Sequence, residues 1–148
     1  MKKIEIPNSY RDLVQGPRVA ALTTLMPDGQ PQTTVVWCDY DGSCVRVNTM
    51  RGFRKEKNMR LNPKVTLLCF DPRQPLRSLE VRGRVVEMTE DGALEHLDGL
   101  SELYTGRKPY FGDCVPAELQ ATETPVLCRI LPVHVTVLDA RKKETAQP

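Results

Sequence analysis

Short runs of β-branched and small apolar residues alternate with turn residues over the first third of this chain. The runs Val19–Leu25, Gln32–Cys38 and Cys44–Asn48 are separated by the turn sequences Pro27-Asp28-Gly29 and Asp39-Tyr40-Asp41-Gly42. Strands joined by Asp-Gly turns are typical of β-hairpins. The pattern therefore predicts an antiparallel meander of three short strands.

Later segments add four more strands. Val65–Phe70 is apolar throughout, which predicts a strand that is buried on both faces. Leu79–Glu87 alternates but contains Gly83, and a β-bulge or a close backbone approach would explain a glycine at that place. The segments Pro125–Ile130 and Val133–Leu138 predict the last two strands.

Two helices are predicted between these strands. The first covers Phe53–Leu61 and ends before an Asn-Pro pair, and the second covers Asp91–Leu103. Leucines recur at three-residue intervals in the second helix and predict an apolar stripe along it. They are Leu94, Leu97, Leu100 and Leu103. The segment Tyr104–Glu118 is rich in proline and glycine and is predicted to be a loop.

The order of the elements favours one class of fold. Hairpins dominate and long β-α-β crossovers are missing from the pattern, so a doubly wound parallel sheet is disfavoured. About seven short strands with a few helices are typical of an α+β fold on a small, mainly antiparallel β-barrel. We expect residues 1–148 to form a single domain of this kind, with residues 1–15 and 141–148 at its periphery.

The overall composition disfavours several classes of protein. Hydrophobic residues make up 40% of the chain, which argues against disorder, and a net charge of +2 alone does not indicate a nucleic-acid-binding protein. No apolar segment long enough for a signal peptide or a membrane span follows the N-terminal lysines. The five cysteines are widely spaced, so we expect a cytoplasmic protein with reduced thiols and no membrane partner.

Positive charge is concentrated in one short segment that follows a predicted strand. Five cations occur within ten residues and only Glu56 opposes them; the cations are Arg51, Arg54, Lys55, Lys57 and Arg60. The strand ends in Asn48-Thr49, and Gly52 allows the backbone of the turn a wider range of dihedral angles. Free N–H groups at a helix N-terminus favour an anion, and an arginine can add bidentate bonds. The segment therefore predicts a site for a phosphate-bearing cofactor.

Each of these residues also has a purely structural interpretation. Arg54 and Lys55 could belong to a solvated helix face, and Asn48 and Thr49 could be ordinary turn formers. Lys57 lies on a different face of the predicted helix and could contact a longer anionic tail or only water. A nucleic-acid site on the basic helix is a weaker interpretation, because aromatic residues make up only 5% of the chain.

Several motifs, in their order and spacing, resemble the pyridoxamine-phosphate-oxidase-like split β-barrel proteins, the flavin/deazaflavin oxidoreductases. The resemblance extends from Val19 to Leu138. It depends on Val19-Ala20-Ala21-Leu22-Thr23-Thr24, Asp28-Gly29, Thr34-Val35-Val36-Trp37, Asn48-Thr49, Arg54-Lys55, Asn62-Pro63-x-Val65-x-Leu67-Leu68, Glu80-Val81-Arg82-Gly83 and Leu103-Tyr104-Thr105-Gly106.

The resemblance implies a homodimer with a cofactor in the groove between two barrels. The phosphate would lie against Thr49, Arg54 and Lys55, with Asn48, Lys57 and Asn58 as further contacts. The ring would lie along the backbone of Thr33, Thr34, Val35 and Val36, with Trp37 either beside it or acting as a core or dimer anchor. Ser78 occupies the place of a glutamine that contacts the ring in the oxidase branch.

Departures from the oxidase pattern argue against one activity of the family, the oxidation of pyridoxamine phosphate. Thr33 replaces the arginine at the start of the second strand, and the C-terminal Arg-x-x-x-Arg-Leu-x-Pro signature is missing. The resemblance therefore implies no true pyridoxamine-phosphate oxidase activity, although the cofactor site remains. The segment Tyr104-Thr105-Gly106 is similar to a subgroup that uses the deazaflavin coenzyme F420, whose acidic tail could engage Arg51 and Lys57. This similarity favours F420, and FMN stays open as the alternative cofactor.

The sequence offers few candidates for protein-supplied chemistry. His96 is expected to be partly exposed and His134 to face away from the core, so neither is assigned a catalytic role. No metal motif occurs. We expect an oxidoreductase whose cofactor transfers a hydride to or from a small organic substrate that the sequence does not identify, with no catalytic side chain. A non-catalytic flavin- or haem-binding carrier or sensor is the alternative.

Overall fold

The computed structural model describes residues 4–141. The strands are β1 (Ala20–Leu25), β2 (Pro31–Val36), β3 (Cys38–Tyr40), β4 (Val45–Met50), β5 (Lys64–Asp71), β6 (Gln74–Thr89) and β7 (Pro125–Asp139). The α-helices are α1 (Arg54–Leu61) and α2 (Ala93–Thr105), and two short 3-10 helices cover Asn8–Leu13 and Ala117–Ala121.

The seven strands form one antiparallel sheet in the order β2-β1-β5-β6-β7-β4-β3. The strands β2 and β3 are its two edges, yet only Trp37 separates them along the chain. The edges of a flat seven-stranded sheet would lie about 29 Å apart, whereas two residue steps span at most about 7 Å. The sheet therefore curls until its edges approach each other, and the predicted α+β class with a mainly antiparallel barrel-type sheet is confirmed.

The predicted three-stranded meander is wrong beyond its first hairpin. The strands β1 and β2 pair as expected, with Leu22 opposite Thr34. The second run ends at Val36, however, and a separate strand β3 pairs with β4 at the other edge of the sheet. The chain changes edges at Trp37, so only Cys38 at the end of the second run pairs with the third run, opposite Val47.

The C-terminal part of the sheet contains one strand where two were predicted. The strand β7 continues through Pro132, which lies opposite Gly83 at a register shift between β6 and β7. A bulge tolerates a proline, because the ladder is already interrupted there. A Cβ atom on Gly83 would lie 2.5 Å from Cγ2 of Ile130 and 2.9 Å from the carbonyl oxygen of Leu131. The predicted bulge with a close backbone approach is confirmed.

The core fills the concave side of the curled sheet. Val65, Leu67 and Cys69 of β5 are buried in it, but Leu68 between them is 42% exposed. Within one chain the prediction that β5 is buried on both faces is therefore wrong, because Leu68 on its outer face stays exposed. The N-terminal segment also contributes Leu13 to this core, so residues 4–15 are not merely peripheral. Residues 142–148 of the predicted peripheral tail lie outside the described residues.

The two helices lie close to their predicted positions. The helix α1 begins one residue later than expected, and α2 continues to Thr105, so Tyr104 is helical and not part of a loop. Leu97 and Leu100 are buried, whereas Leu94 and Leu103 are substantially exposed, which confirms only half of the predicted stripe. Neither helix, nor any other in the described part of the chain, has the length and apolar character needed to cross a membrane.

Candidate functional site

A pocket of about 200 Å³ lies where the ends of β2 and β4 meet the start of α1 and one side of α2. Six of the predicted site residues line it: Val35, Val36, Trp37, Asn48, Thr49 and Lys55. The side chains of Leu97 and Tyr110 complete its apolar part. The structure thus brings the end of the second strand and the strand–turn–helix segment together.

Lys55 is the cation of this pocket. Its side chain is half-buried, and this loss of solvation lowers its pKa, an effect that the nearby Cys128 thiol only partly opposes. Among residues 4–141 no carboxylate lies at ion-pair distance from the Lys55 ammonium group; Glu56, next to it, pairs with Arg60 instead. An anion in the pocket would restore the interactions that the ammonium loses on burial.

The start of α1 is arranged to leave its first N–H groups uncapped. Gly52 has a φ of 87°, a conformation that a side chain disfavours, and it turns the chain into the helix. No side chain caps the helix at Phe53; the carboxylate of Glu56 instead accepts the Gly52 N–H at 3.0 Å. Burial raises the pKa of Glu56, but this bond and Arg60 more than compensate and hold it below its ordinary value. The free N–H groups add to the attraction for an anion.

Two polar atoms at the pocket lack partners. Thr49 is 5% exposed and its Oγ1 makes no hydrogen bond to any described residue. The Oδ1 atom of Asn48 is likewise buried and without a partner in the described part of the chain. A buried polar atom without a partner costs about 1–3 kcal/mol. A ligand that carries phosphate and hydroxyl or N–H groups therefore fits the chemistry of these residues.

A polar network lies directly behind Asn48. Its Nδ2 donates to the Ala93 carbonyl at 2.9 Å and lies 3.1 Å from Nδ1 of His96. The other ring nitrogen of His96 lies 3.2 Å from Oδ2 of Asp39. Asp39 also receives two bonds from Arg46, at 2.7 and 2.8 Å. His96 is only 9% exposed, so the expectation of a partly exposed histidine is wrong, because the face of α2 that carries it packs against the sheet.

The charges of this network are balanced. Burial raises the pKa of Asp39, but His96 and Arg46 together outweigh that effect and hold the pKa below its ordinary value. Arg46 in turn has its pKa raised by its bonds to Asp39. Asp39 is therefore a carboxylate at neutral pH, and it faces His96 and not the pocket lining.

Aromatic rings form the wall of the pocket opposite α1. Trp37 stacks on Tyr104 with ring centroids 5.3 Å apart and an interplanar angle of 16°, and Tyr110 meets Trp37 edge-on at 6.2 Å. The Tyr104 hydroxyl accepts the Cys38 N–H at 3.0 Å and lies 2.7 Å from the Arg18 carbonyl oxygen, to which it can donate. Burial raises the pKa of Tyr104 well above its ordinary value, so it stays a hydroxyl.

Comparison with known proteins decides the family. The family description for pyridoxamine 5'-phosphate oxidase matches residues 6–128. The chain belongs to this family. No curated protein matches it.

Solved structures agree with this family. An F420 reductase is 30% identical, with a TM-score of 0.75 over 88% of this chain and 98% of its own. A conserved hypothetical protein from Mycobacterium tuberculosis is 26% identical, with a TM-score of 0.71 over 97% and 96%. An FAD-binding protein from Mesorhizobium loti shares the fold at 23% identity, with a TM-score of 0.64 over 95% and 100%. The family and its fold are those of flavin-type oxidoreductases.

The other predicted site residues of this family member do not line the pocket. Arg54 and Lys57 are exposed on α1. Asn58 is buried and donates from Nδ2 to Oγ1 of Thr24 at 3.0 Å, so it links α1 to β1. Thr34 faces the core, where its Oγ1 makes no hydrogen bond to any residue of the described range. These four residues stay predictions as cofactor contacts.

Thr33 and Ser78 lie on the outer face of the sheet. Thr33 bonds to Thr23 on the neighbouring strand, with 2.8 Å between their Oγ1 atoms. Ser78 lies on β6 between Phe70 and Leu138. The register from β2 to β6 places both on the same face as the exposed Val35. Any contact that they make with a cofactor would have to come from this face.

Sequence reasoning missed three residues of the site and its support. Tyr110 lies in a segment that was predicted only as a loop, and Asp39 in one that was predicted only as a turn. His96 reaches Asn48 from a position 48 residues later in the chain. Arg51, which was expected to be available for an acidic tail, forms a two-bond ion pair with Glu90 at 2.7 and 2.5 Å. No group of three or more metal-ligating side chains occurs among residues 4–141.

Proposed function

We propose that this protein is an oxidoreductase that binds F420 or FMN with its phosphate at Lys55 and the start of α1. The observation that carries the proposal is the half-buried Lys55, without a carboxylate partner among the described residues, beside the orphaned Oγ1 of Thr49. Both groups are donors that a phosphate oxygen would accept from. The F420 reductase at 30% identity supports a cofactor of this kind.

In this mechanism the chain binds and orients, and the bound cofactor supplies the hydride chemistry. Lys55, the hydroxyl of Thr49 and the first N–H groups of α1 hold the phosphate. The backbone of Val35 and Val36 and the ring of Trp37 form the wall along which a flat ring system would lie. His96, the nearest histidine to the pocket, is buried behind Asn48 and is not required as an acid or base.

The site is completed by a second copy of the chain. A pocket of about 200 Å³ is smaller than the roughly 300–1,000 Å³ of pockets that enclose a whole small-molecule ligand. The adjoining outer face exposes Val35 at 68%, Leu68 at 42% and Leu138 at 52%. Contiguous exposed apolar patches mark interaction surfaces, and we infer that these three side chains, which share one face of the sheet, belong to such a surface. A homodimer through this face would cover them and leave a groove, beside Thr33 and Ser78, for the cofactor ring and a small-molecule substrate.

The charges outside the pocket favour F420 over FMN. Arg54 and Lys57 are exposed near Lys55, and neither makes an ion pair with a described residue. FMN ends at its phosphate and would leave both cations unused. The acidic tail of F420 continues beyond the phosphate and would place carboxylates within their reach.

Binding and turnover test the proposal separately. Fluorescence titration of the purified protein with F420 and with FMN gives the two dissociation constants, and we expect F420 to bind more tightly. Replacing both Arg54 and Lys57 by alanine should weaken F420 binding about thirtyfold or more and leave FMN binding unchanged, since each of the two lost charged contacts costs ~1 kcal/mol or more. A matched control is Lys108→Ala, a lysine in the loop after α2.

Reduction of the bound cofactor then separates an enzyme from a carrier. We expect the protein to transfer a hydride between the reduced cofactor and at least one member of a panel of quinones and enones. If neither cofactor binds, the proposed function is wrong. Binding without turnover for any acceptor would instead favour the non-catalytic carrier.

A further inference from the structure

We infer that Asp39 and His96 position the Asn48 amide so that its Oδ1 accepts a hydrogen bond from a hydroxyl or N–H group of the bound cofactor. This inference rests on the proposed function, because it needs a ligand in the pocket. It assigns roles to two residues that sequence reasoning did not place in the site. It also assigns to Asn48 a contact other than the phosphate.

The orientation of the Asn48 amide follows from a backbone group. The Ala93 carbonyl oxygen lies 2.9 Å from the Nδ2 atom of Asn48. A carbonyl oxygen can only accept, so the amide nitrogen and not the amide oxygen must face it. This contact leaves one hydrogen on Nδ2 for a second acceptor.

The second acceptor, Nδ1 of His96, determines which ring nitrogen of His96 carries the hydrogen. Its Nδ1 lies 3.1 Å from the same Nδ2, so Nδ1 must carry a lone pair and the ring hydrogen must lie on the other nitrogen. That nitrogen faces Oδ2 of Asp39 at 3.2 Å, where a carboxylate favours an N–H. Asp39 is itself fixed by the two bonds from Arg46. Arg46, Asp39, His96 and Asn48 therefore form one chain of contacts, in which the step from His96 to Asp39 is a close charge contact at 3.2 Å that lacks the geometry of a hydrogen bond.

The result is an acceptor without a donor on a residue that lines the pocket. Both hydrogens of the Asn48 amide are used, and its Oδ1 is buried with no partner in residues 4–141. An amide oxygen cannot bond to a phosphate oxygen, because both are acceptors. It can accept from a ribityl hydroxyl or from the ring N–H of a flavin or deazaflavin. Thr49 and Lys55, which are donors, are the residues suited to the phosphate.

Ligand analogues test this assignment directly. The probe is FMN or F420, whichever the wild-type protein binds more tightly, compared with its N3-methyl analogue and with an analogue that has an alkyl chain in place of the ribityl hydroxyls. Fluorescence titration gives the dissociation constants. In the wild-type protein, one analogue should bind about tenfold more weakly than the parent, a factor that corresponds to ~1.4 kcal/mol.

Variants then test whether Asn48 accepts a hydrogen bond from the ligand group that the weaker analogue lacks. In Asn48→Leu, which keeps the size but removes the amide, the parent and the analogue should bind equally. In His96→Leu, the tenfold ratio should shrink, because the amide loses its second anchor. His96→Gln can offer an acceptor to Asn48 and a donor to Asp39 and should restore much of the ratio. The ratio is insensitive to a general loss of stability, which thermal melts of each variant measure.

The outcomes separate this inference from the function on which it rests. If the wild-type protein binds neither cofactor, both fail. If it binds a cofactor but no analogue is weaker, or if the ratio is the same in Asn48→Leu as in the wild type, the function stands and the inference is wrong. A ratio that is lost in Asn48→Leu but fully kept in His96→Leu would overturn the positioning role of His96.

Discussion

Trp37 and Tyr104 stack with their ring centroids 5.3 Å apart, and this contact joins the point where the sheet changes edges to the last turn of α2. The Tyr104 hydroxyl adds bonds to the backbone of Cys38 on one side and Arg18 on the other. Trp37 also lines the candidate pocket. One side chain of α2 therefore stabilises both the closure of the curled sheet and the aromatic wall of the site.

Removing only the Tyr104 hydroxyl should destabilise the fold. Tyr104→Phe keeps the stack on Trp37 but leaves the Cys38 N–H without its acceptor, so we expect a loss of about 1–3 kcal/mol in the free energy of unfolding. Urea denaturation measures this loss. The matched control is Tyr110→Phe, whose hydroxyl bonds to no residue in the described range, and its effect should be within about 0.5 kcal/mol. Equal effects would refute the role of the Tyr104 bonds.

A methyl group at Gly83 should be poorly tolerated. Its Cβ would lie 2.5 Å from the Ile130 side chain and 2.9 Å from the Leu131 carbonyl oxygen, so the bulge between β6 and β7 would have to shift. We expect Gly83→Ala to lower the free energy of unfolding by about 1–3 kcal/mol. Gly99→Ala, in α2 with no atom near the added methyl, should instead stabilise by about 0.5–1 kcal/mol. A neutral Gly83→Ala would contradict the bulge geometry.

Acid should destabilise the protein partly through Asp39. The pKa of Asp39 is lowered in the folded state, so its contribution is present above its unfolded pKa and is lost as the pH falls through the folded value. Unfolding free energies measured from pH 6 to pH 3 should therefore fall less steeply in Asp39→Asn than in the wild type. Glu95→Gln, which changes an exposed carboxyl of α2, is the control. An unchanged slope in Asp39→Asn would show that the network does not hold this carboxylate.

The proposed interface on the outer face can be tested at Leu68. Its side chain is 42% exposed in the middle of a strand, and a dimer would bury it. Leu68→Lys should convert a dimer to a monomer in analytical ultracentrifugation, because a lysine there would bury its charge in the interface. Leu61→Lys, at the exposed end of α1, should have no effect. A wild-type protein that sediments as a monomer at micromolar concentration would exclude this interface.

Local patterns predicted the elements whose causes are local. Asp-Gly turns and alternating residues placed β1 and β2, and the helix α1 begins within one residue of the prediction. The continuity of β7 was missed because a proline usually ends a central strand, and only the bulge opposite Gly83 accommodates Pro132. The exposure of Leu68 was missed because an apolar sequence does not reveal whether anything covers its outer face.

The same distinction applies to the candidate site. Asn48, Thr49 and Lys55 lie within eight positions of one another, so the strand–turn–helix pattern predicted them as parts of one site. The contact of His96 with Asp39 joins residues 57 positions apart, and Asp39 lies on the edge strand β3. Such a pairing follows from the curling of the whole sheet, and the spacing along the chain carries no signal of it.

The most direct test of the phosphate site compares FMN with riboflavin in the wild type and in Lys55→Gln. If Lys55 binds the phosphate, the wild-type protein should prefer FMN, and Lys55→Gln should reduce that preference by about ten- to hundredfold while riboflavin binding stays the same, since a charged contact contributes ~1.5–3 kcal/mol. The matched control, Lys108→Gln, should keep the wild-type ratio. An equal preference for FMN in Lys55→Gln and the wild type would contradict the account.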